Sequence, residues 1–164
     1  MYRVGIITAS DKGSKGQRED LSGSAIKEIV ESKGYKVERK TILPDDKKLL
    51  SEEMIYMSDQ LGIELILTTG GTGFSIRDNT PEATEAVIDK PTPGISEAMR
   101  YHSLQITPRG MLSRGISGIR KNNSLIINLP GSEKAVKETL EYIIDSVTHG
   151  LDIMLGNASD CARK

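Results

Sequence analysis

The sequence predicts an α/β domain of the doubly wound type: a mostly parallel sheet, helices on both faces and one antiparallel hairpin strand. Three observations predict it. Short, near-continuous apolar runs alternate with segments of helical spacing from residue 2 onward, which implies parallel strands buried on both faces. Residues 116–130 hold two such runs about a turn-forming Asn pair, which adds the hairpin. Hydroxyls, carboxylates and glycines gather just after the carboxyl ends of the strands, where open α/β sheets bind ligands. The 164 residues suit one domain, taken as 1–164.

The elements follow in order. Residues 2–9 (YRVGIITA) form a buried strand, followed by a polar loop, SDKGSKGQRED. Leu21, Ala25, Ile29 and Val30 recur at helical spacing, and Gly34 ends that helix. Residues 35–43 make a second strand. Pro44-Asp45-Asp46 is a turn and helix start, with Asp45 a good N-cap. Leu50, Met54, Met57 and Leu61 stripe the next helix, which Gly62 stops. Residues 63–69 are a third strand running into the glycines. Thr80 caps the following helix, with Pro81 at its first position. A helix over 94–105 carries the apolar line Ile95, Met99, His102 and Ile106, and TPRGMLSRG is a loop. ISGIRK and SLIINLP flank Asn122-Asn123 as a hairpin. The last helix starts near residue 133 and buries Val136, Leu140, Ile143 and Val147, with His149 near its end.

Bulk properties exclude several classes. Twenty-two Lys and Arg against 23 Asp and Glu give a net charge of -1, which argues against backbone-driven nucleic-acid binding. No run approaches the roughly 20 apolar residues of a membrane helix. The N-terminal stretch reads as a strand rather than a signal peptide, so a soluble, cytoplasmic protein is expected. The one cysteine, Cys161, allows no internal disulfide and reads as a tail residue.

The stretch ILTTGGTGFSIRDNT (66–80) carries the chemistry. Gly70, Gly71 and Gly73 let a backbone approach an anion closely, its N–H groups can form an anion nest, and Thr72 adds a hydroxyl. Pro130-Gly131-Ser132 opens a second helix whose N-terminus suits phosphate. Asp78 admits two readings. A carboxylate beside a phosphate calls for a bridging cation, and Mg²⁺ takes both oxygen types; alternatively Asp78 pairs with Arg77 or stabilises a turn. Asp11 and Asp45 share that choice. The two histidines, His102 and His149, form no nucleophile pair or zinc set. Charge clamping of phosphates fits the inventory better than His acid–base work.

LTTGGTGFSIRDNTPEAT (67–84), with ITASDKG (7–13), LPDD (43–46), TPGISEAM (92–99), ITPRGMLSRGISGIR (106–120) and LIINLPGSEKAVKETLE (125–141), resembles the MogA/MoaB family of molybdenum cofactor biosynthesis, including the gephyrin G domain. The resemblance implies Mg²⁺- and ATP-dependent adenylyl transfer to the terminal phosphate of molybdopterin, in a homotrimer that hands its product to a molybdenum insertion protein. It implies that Gly70, Gly71, Thr72 and Gly73 hold nucleotide phosphates. Asp45 and Asp78 are then the catalytic and Mg²⁺-linked carboxylates. Ser10, Asp11, Pro130 and Gly131 line the nucleotide and pterin pocket, and Ser113 and Arg114 lie toward molybdopterin. The alternative within the family is a MoaB-type non-catalytic molybdopterin-binding or scaffold protein. Asn79 stands where Val is more usual and Lys12 where Arg is common; neither change removes a charge sign or a loop glycine.

Overall fold

A computed structural model describes residues 1–157; Cys161 lies outside the described residues. The elements run β1 (Arg3–Ala9), α1 (Asp11–Ser14), α2 (Leu21–Ser32), β2 (Lys36–Leu43), α3 (Lys47–Ile55), β3 (Leu65–Thr69), α4 (Thr80–Glu85), β4 (Lys90–Pro91), α5 (Pro93–Ile106), β5 (Ser117–Arg120), β6 (Ser124–Leu129) and α6 (Glu133–Met154). The sheet order is β2-β1-β3-β6-β5-β4. β2, β1, β3 and β6 are mutually parallel, and β5 runs against both of its neighbours.

The alternation of side chains along each strand divides two cores. Val4, Ile6, Leu65, Leu67, Leu125 and Ile127 face α2, α5 and α6, meeting Ile26, Met99, Leu140 and Ile144. Ile7, Ile66 and Ile126 face α3 and α4, meeting Leu50, Met54, Met57, Ala83 and Val87. Because both faces are covered, β1 and β3 read as near-continuous apolar runs, while the edge strand β2 alternates in exposure. Each fully buried Ile, Leu or Met contributes roughly 1.5–3 kcal/mol, so these two layers fix the parallel register.

Several elements differ from expectation. The α3 helix is capped by Asp46, which accepts from the Leu49 N–H at 2.9 Å; Asp45 is free for other partners. α3 passes into a π-helical turn over Tyr56–Gln60. That turn keeps Met57 buried before Gly62, at φ +61, ends the segment. Thr80 is the first residue of α4 rather than its cap, a position held by Asn79 without a capping side-chain bond. The hairpin turn centres on Lys121 and Asn122, φ +50 and +52, one residue earlier than expected, with Asn123 N–H donating to Arg120 O. α6 continues through Gly150 to Met154, so His149 lies inside the helix rather than at its end. His102 stacks on Tyr142, ring centroids 4.2 Å apart, as a packed residue. The short strand β4, the α1 turn and a 3-10 turn over Pro108–Leu112 fall in stretches without a periodic signal of their own.

The parallel strands end flush: Ala9 pairs with Leu43, Thr8 with Thr69, and Thr69 with Leu129. The turns that leave these residues therefore start at one end of the sheet.

Candidate functional site

From β1 the chain turns to β2 on one side and returns to β3 on the other. The crevice at that reversal is where doubly wound sheets take ligands. A cavity of about 720 Å³ fills it, lined by Ser10, Asp11, Asp45, Gly70, Gly71, Asp78 and Gly131 among the expected residues. That volume lies within the range of small-molecule sites. Its rim also includes Arg18 and Asp20, which the strand-end rule misses. Asp20 has a signal in the sequence: it precedes an apolar-periodic run, and it caps α2 by accepting from Gly23 N–H at 2.9 Å.

A second cavity, about 210 Å³, holds Ser113 and Pro130 together with Ser103, Arg100 and Arg109. The two cavities lie on either side of the Pro130–Gly131 link, since Pro130 lines one and Gly131 the other. Thr72, Gly73 and Arg114 line neither. Thr72 is buried, and Arg114 sits behind the glycine loop. Arg100 and Arg109 escape sequence reasoning because apolar spacing marks only the buried line of α5, and the Pro108–Leu112 turn has no periodic signal.

The glycine loop needs its glycines. Gly70, at φ +87, would place a Cβ 2.4 Å from the Ala9 carbonyl oxygen. Gly71, at φ +67, would place one 2.3 Å from Thr80 Oγ1. A Cβ on Gly131 would come within 3.3 Å of Gly70 Cα, so the two phosphate-type turns touch. The four loop carbonyls are all engaged. Thr80 Oγ1 donates to Gly70 O at 2.9 Å and Thr80 N–H to Gly71 O at 3.1 Å. Arg114 N–H donates to Thr72 O at 2.8 Å and its Nε to Gly73 O at 2.7 Å.

Three carboxylates meet at the floor. Asp11 N–H donates to Asp45 Oδ2 and Asp45 N–H donates to Asp11 Oδ1, each at 3.0 Å. This reciprocal pair ties the end of β1 to the end of β2. Arg77 donates to Asp11 through Nε at 3.0 Å and Nη2 at 2.9 Å, so its partner is Asp11 rather than Asp78. The Arg77 guanidinium, then the Asp45 N–H, hold the Asp11 carboxyl down at about 2. Asp78 accepts from Ser75 N–H through Oδ2 at 2.9 Å, which is the turn role foreseen for it. Burial pushes the Asp45 carboxyl above its usual range; the Asp11 N–H and Arg77 oppose that, and the charges of Asp11 and Asp78 add to it.

The residues fit a divalent cation supported by phosphate. Asp45 is a partly buried carboxylate facing two further negative charges, an arrangement that a cation relieves. Among the described residues no three His, Cys, Asp or Glu side chains form a metal cluster. The protein would supply Asp45 and Asp78, and ligand oxygens and water the rest, as Mg²⁺ accepts.

The raised Asp45 value gives a signed pH prediction. A carboxyl whose folded pKa lies above its unfolded value, about 3.9, costs stability increasingly as pH rises through the folded value. Asp45→Asn removes that cost. Its melting temperature relative to wild type should therefore climb as pH rises from about 4 toward neutrality, in parallel thermal scans. A flat or falling difference would contradict the assigned environment of Asp45.

A doubly wound sheet with two touching glycine turns and a carboxylate cluster at its switch point defines an α/β domain with a cavity at the carboxyl ends of its strands. Residues 5–149 match the family described as "Probable molybdopterin binding domain", and the chain belongs to that family. It is 44% identical over 158 residues to the molybdopterin adenylyltransferase of Helicobacter pylori, covering 94% of this chain and 88% of that protein. It is 39% identical over 156 residues to the protein of the same name from Escherichia coli, covering 91% and 79%. The crystal structure of the molybdopterin biosynthesis enzyme MoaB from Thermus thermophilus superposes with a TM-score of 0.90. That match has 42% identity and covers 95% of this chain and 98% of that one. No helix among the described residues is long and apolar enough to cross a membrane.

Proposed function

We propose that this protein is a molybdopterin adenylyltransferase. The terminal phosphate of molybdopterin attacks the α-phosphorus of ATP, the bond to the β-phosphate breaks, and adenylylated molybdopterin and pyrophosphate leave. The observation that carries this reading is the pair of adjacent cavities divided by the Pro130–Gly131 link, with Gly70, Gly71, Asp45 and Asp78 in the larger. A pterin phosphate held near Ser113 and a nucleotide held at Gly70–Gly71 would meet across that link. The names of the relatives support the reaction. The two carboxylates at the cavity favour catalysis over a MoaB-type binding or scaffold role.

In this reading Gly70, Gly71, Thr72 and Gly73 build the turn that cradles nucleotide phosphates, while Ser10, Asp11 and Gly131 complete the pocket. Ser113 and Pro130 face the pterin. Asp45 and Asp78 would hold Mg²⁺, which when bound offsets the phosphate charge and favours in-line geometry. The chain's own part is to bind and orient the two phosphates, since phosphoryl-type transfer is governed by positioning and electrostatics. Incubation with molybdopterin, ATP and Mg²⁺, followed by mass detection of adenylylated pterin, tests the proposal. Binding of pterin with no such product would favour the scaffold reading instead.

A homotrimer in the cytoplasm, passing its product to a molybdenum insertion protein, belongs to the same reading. Tyr101, Leu104, Ile106, Met111 and Leu112 expose an apolar surface on α5 and the turn after it, consistent with contacts between copies. Light scattering at micromolar concentration is expected to give three times the chain mass. A monomer mass would overturn the trimer.

A further inference from the structure

Arg114 holds the glycine loop through both its backbone and its side chain, yet it lines neither cavity. Its backbone N–H takes Thr72 O, Nε takes Gly73 O, Nη2 takes Asp78 O at 2.9 Å, and Nη1 pairs with Glu82 at the start of α4. With Thr80 holding Gly70 O and Gly71 O, every carbonyl of the loop is turned to a protein donor. A carbonyl oxygen aimed at a phosphate would repel it, so a phosphate loop has to present donors only. Arg114 is itself anchored. Arg100, in the wall of the second cavity, donates through Nη1 to Gly115 O at 2.7 Å and more weakly to Ser113 O at 3.4 Å. It thus grips the backbone on both sides of Arg114. Ser113 lines the second cavity, while the next side chain steers the loop of the first.

We propose that Arg114 is a positioning residue. It keeps acceptors of the 70–78 loop out of the nucleotide cavity and fixes the backbone of Asp78, so that this carboxylate points at the reacting phosphates. The inference rests on the adenylyltransferase reading, but differs from one in which Arg114 touches molybdopterin. A planar fork is required because three acceptors lie in different directions. Lysine keeps the charge but is a point donor and cannot reproduce the fork.

The test uses Arg114→Lys on the full chain, with calorimetric Mg-ATP affinity, pterin affinity, single-turnover adenylyl transfer and melting temperature measured on one preparation. Mg-ATP affinity should fall at least about tenfold and the single-turnover rate about 10- to 100-fold, the scale of misplacing one electrostatic group. Pterin affinity should hold, and melting temperature should change by only a few degrees. In an Asp78→Asn background the same substitution should cost less than about threefold, because residues acting as a unit are non-additive. Additive losses, or weakened pterin binding with intact ATP binding, would overturn the proposal. So would a lower melting temperature with normal turnover per folded molecule. Should Arg114→Lys fail to fold, Glu82→Gln loosens the anchor and keeps the arginine; it should shift ATP affinity in the same direction, and no shift counts against the idea. A wild-type chain that binds Mg-ATP but transfers no adenylyl group rejects the functional reading, and the affinity ratio still decides the role of Arg114. A wild type that binds no Mg-ATP overturns both.

Discussion

Asp78→Asn is expected to lower kcat for adenylyl transfer by at least about 100-fold, the scale of one well-placed electrostatic group, with little change in melting temperature. The geometry separates charge from turn at this position. Asp78 Oδ2 accepts from Ser75 N–H, and an asparagine oxygen can accept the same bond. The backbone carbonyl of residue 78 stays with Arg114. Arg77 keeps Asp11, so no ion pair is broken. What disappears is one negative charge from the wall of the cavity. Molybdopterin affinity should persist because the second cavity is untouched. Single-turnover transfer and thermal unfolding on the same preparation provide the check. A stable variant with near-normal turnover would remove Asp78 from the chemistry and leave Asp45 as the better carboxylate.

Gly71→Val is expected to fail differently, losing both ligand and stability. At φ +67 a β-branched residue is strained, and its Cβ would lie 2.3 Å from Thr80 Oγ1 and 3.2 Å from Asp45 Oδ1. Pushing Thr80 aside frees the Gly70 carbonyl it holds. Backbone strain of about 1–3 kcal/mol with overpacking of about 1–3 kcal/mol gives a loss of roughly 2–6 kcal/mol in denaturant unfolding. Mg-ATP affinity of the folded fraction should drop at least about tenfold, the loss of one good contact or more. Gly94→Ala is the control: a Cβ there meets nothing within 4 Å, and both properties should hold. Unchanged ATP affinity in folded Gly71→Val would mean that the loop is only a turn.

The parts of the fold legible from sequence are those with a local cause. β1 and β3 are buried on both faces, so Val4, Ile6, Ile7, Leu65, Ile66 and Leu67 show no polar alternation, and Gly34 and Gly62 end helices at φ +83 and +61. The strand-end rule then brings Ser10, Asp11, Asp45, Gly70, Gly71, Asp78 and Gly131 to one cavity. The misses are decided at a distance. Asp45 and Asp46 are equally good caps by letter. Asp46 takes the cap, while Asp45 is bonded to Asp11, 34 positions earlier. Thr80 looks like a cap, yet its hydroxyl is buried against Gly70 O, where an unpaired carbonyl would be costly. Arg77 beside Asp78 suggests a neighbour pair, but the loop carries it across to Asp11. Arg100 and Arg109 reveal their cavity only once α5 is packed against α6.

The flush ends of the parallel strands bear on how the molecule comes into being. The cavity is walled by residues from Thr8 to Glu133, and its central pairing, β3 with β6, joins segments about sixty positions apart. During synthesis at about 5–20 residues per second, β1, α2, β2 and β3 emerge first and can pair. The ligand-binding crevice cannot close until β6 and the start of α6 have left the ribosome. Until then the β3 edge that β6 will cover stays open, an unpaired row of backbone groups of the kind that recruits strands from other chains. The β3 edge is thus exposed for as long as residues 70–129 take to emerge, an interval in which the chain has no closed crevice.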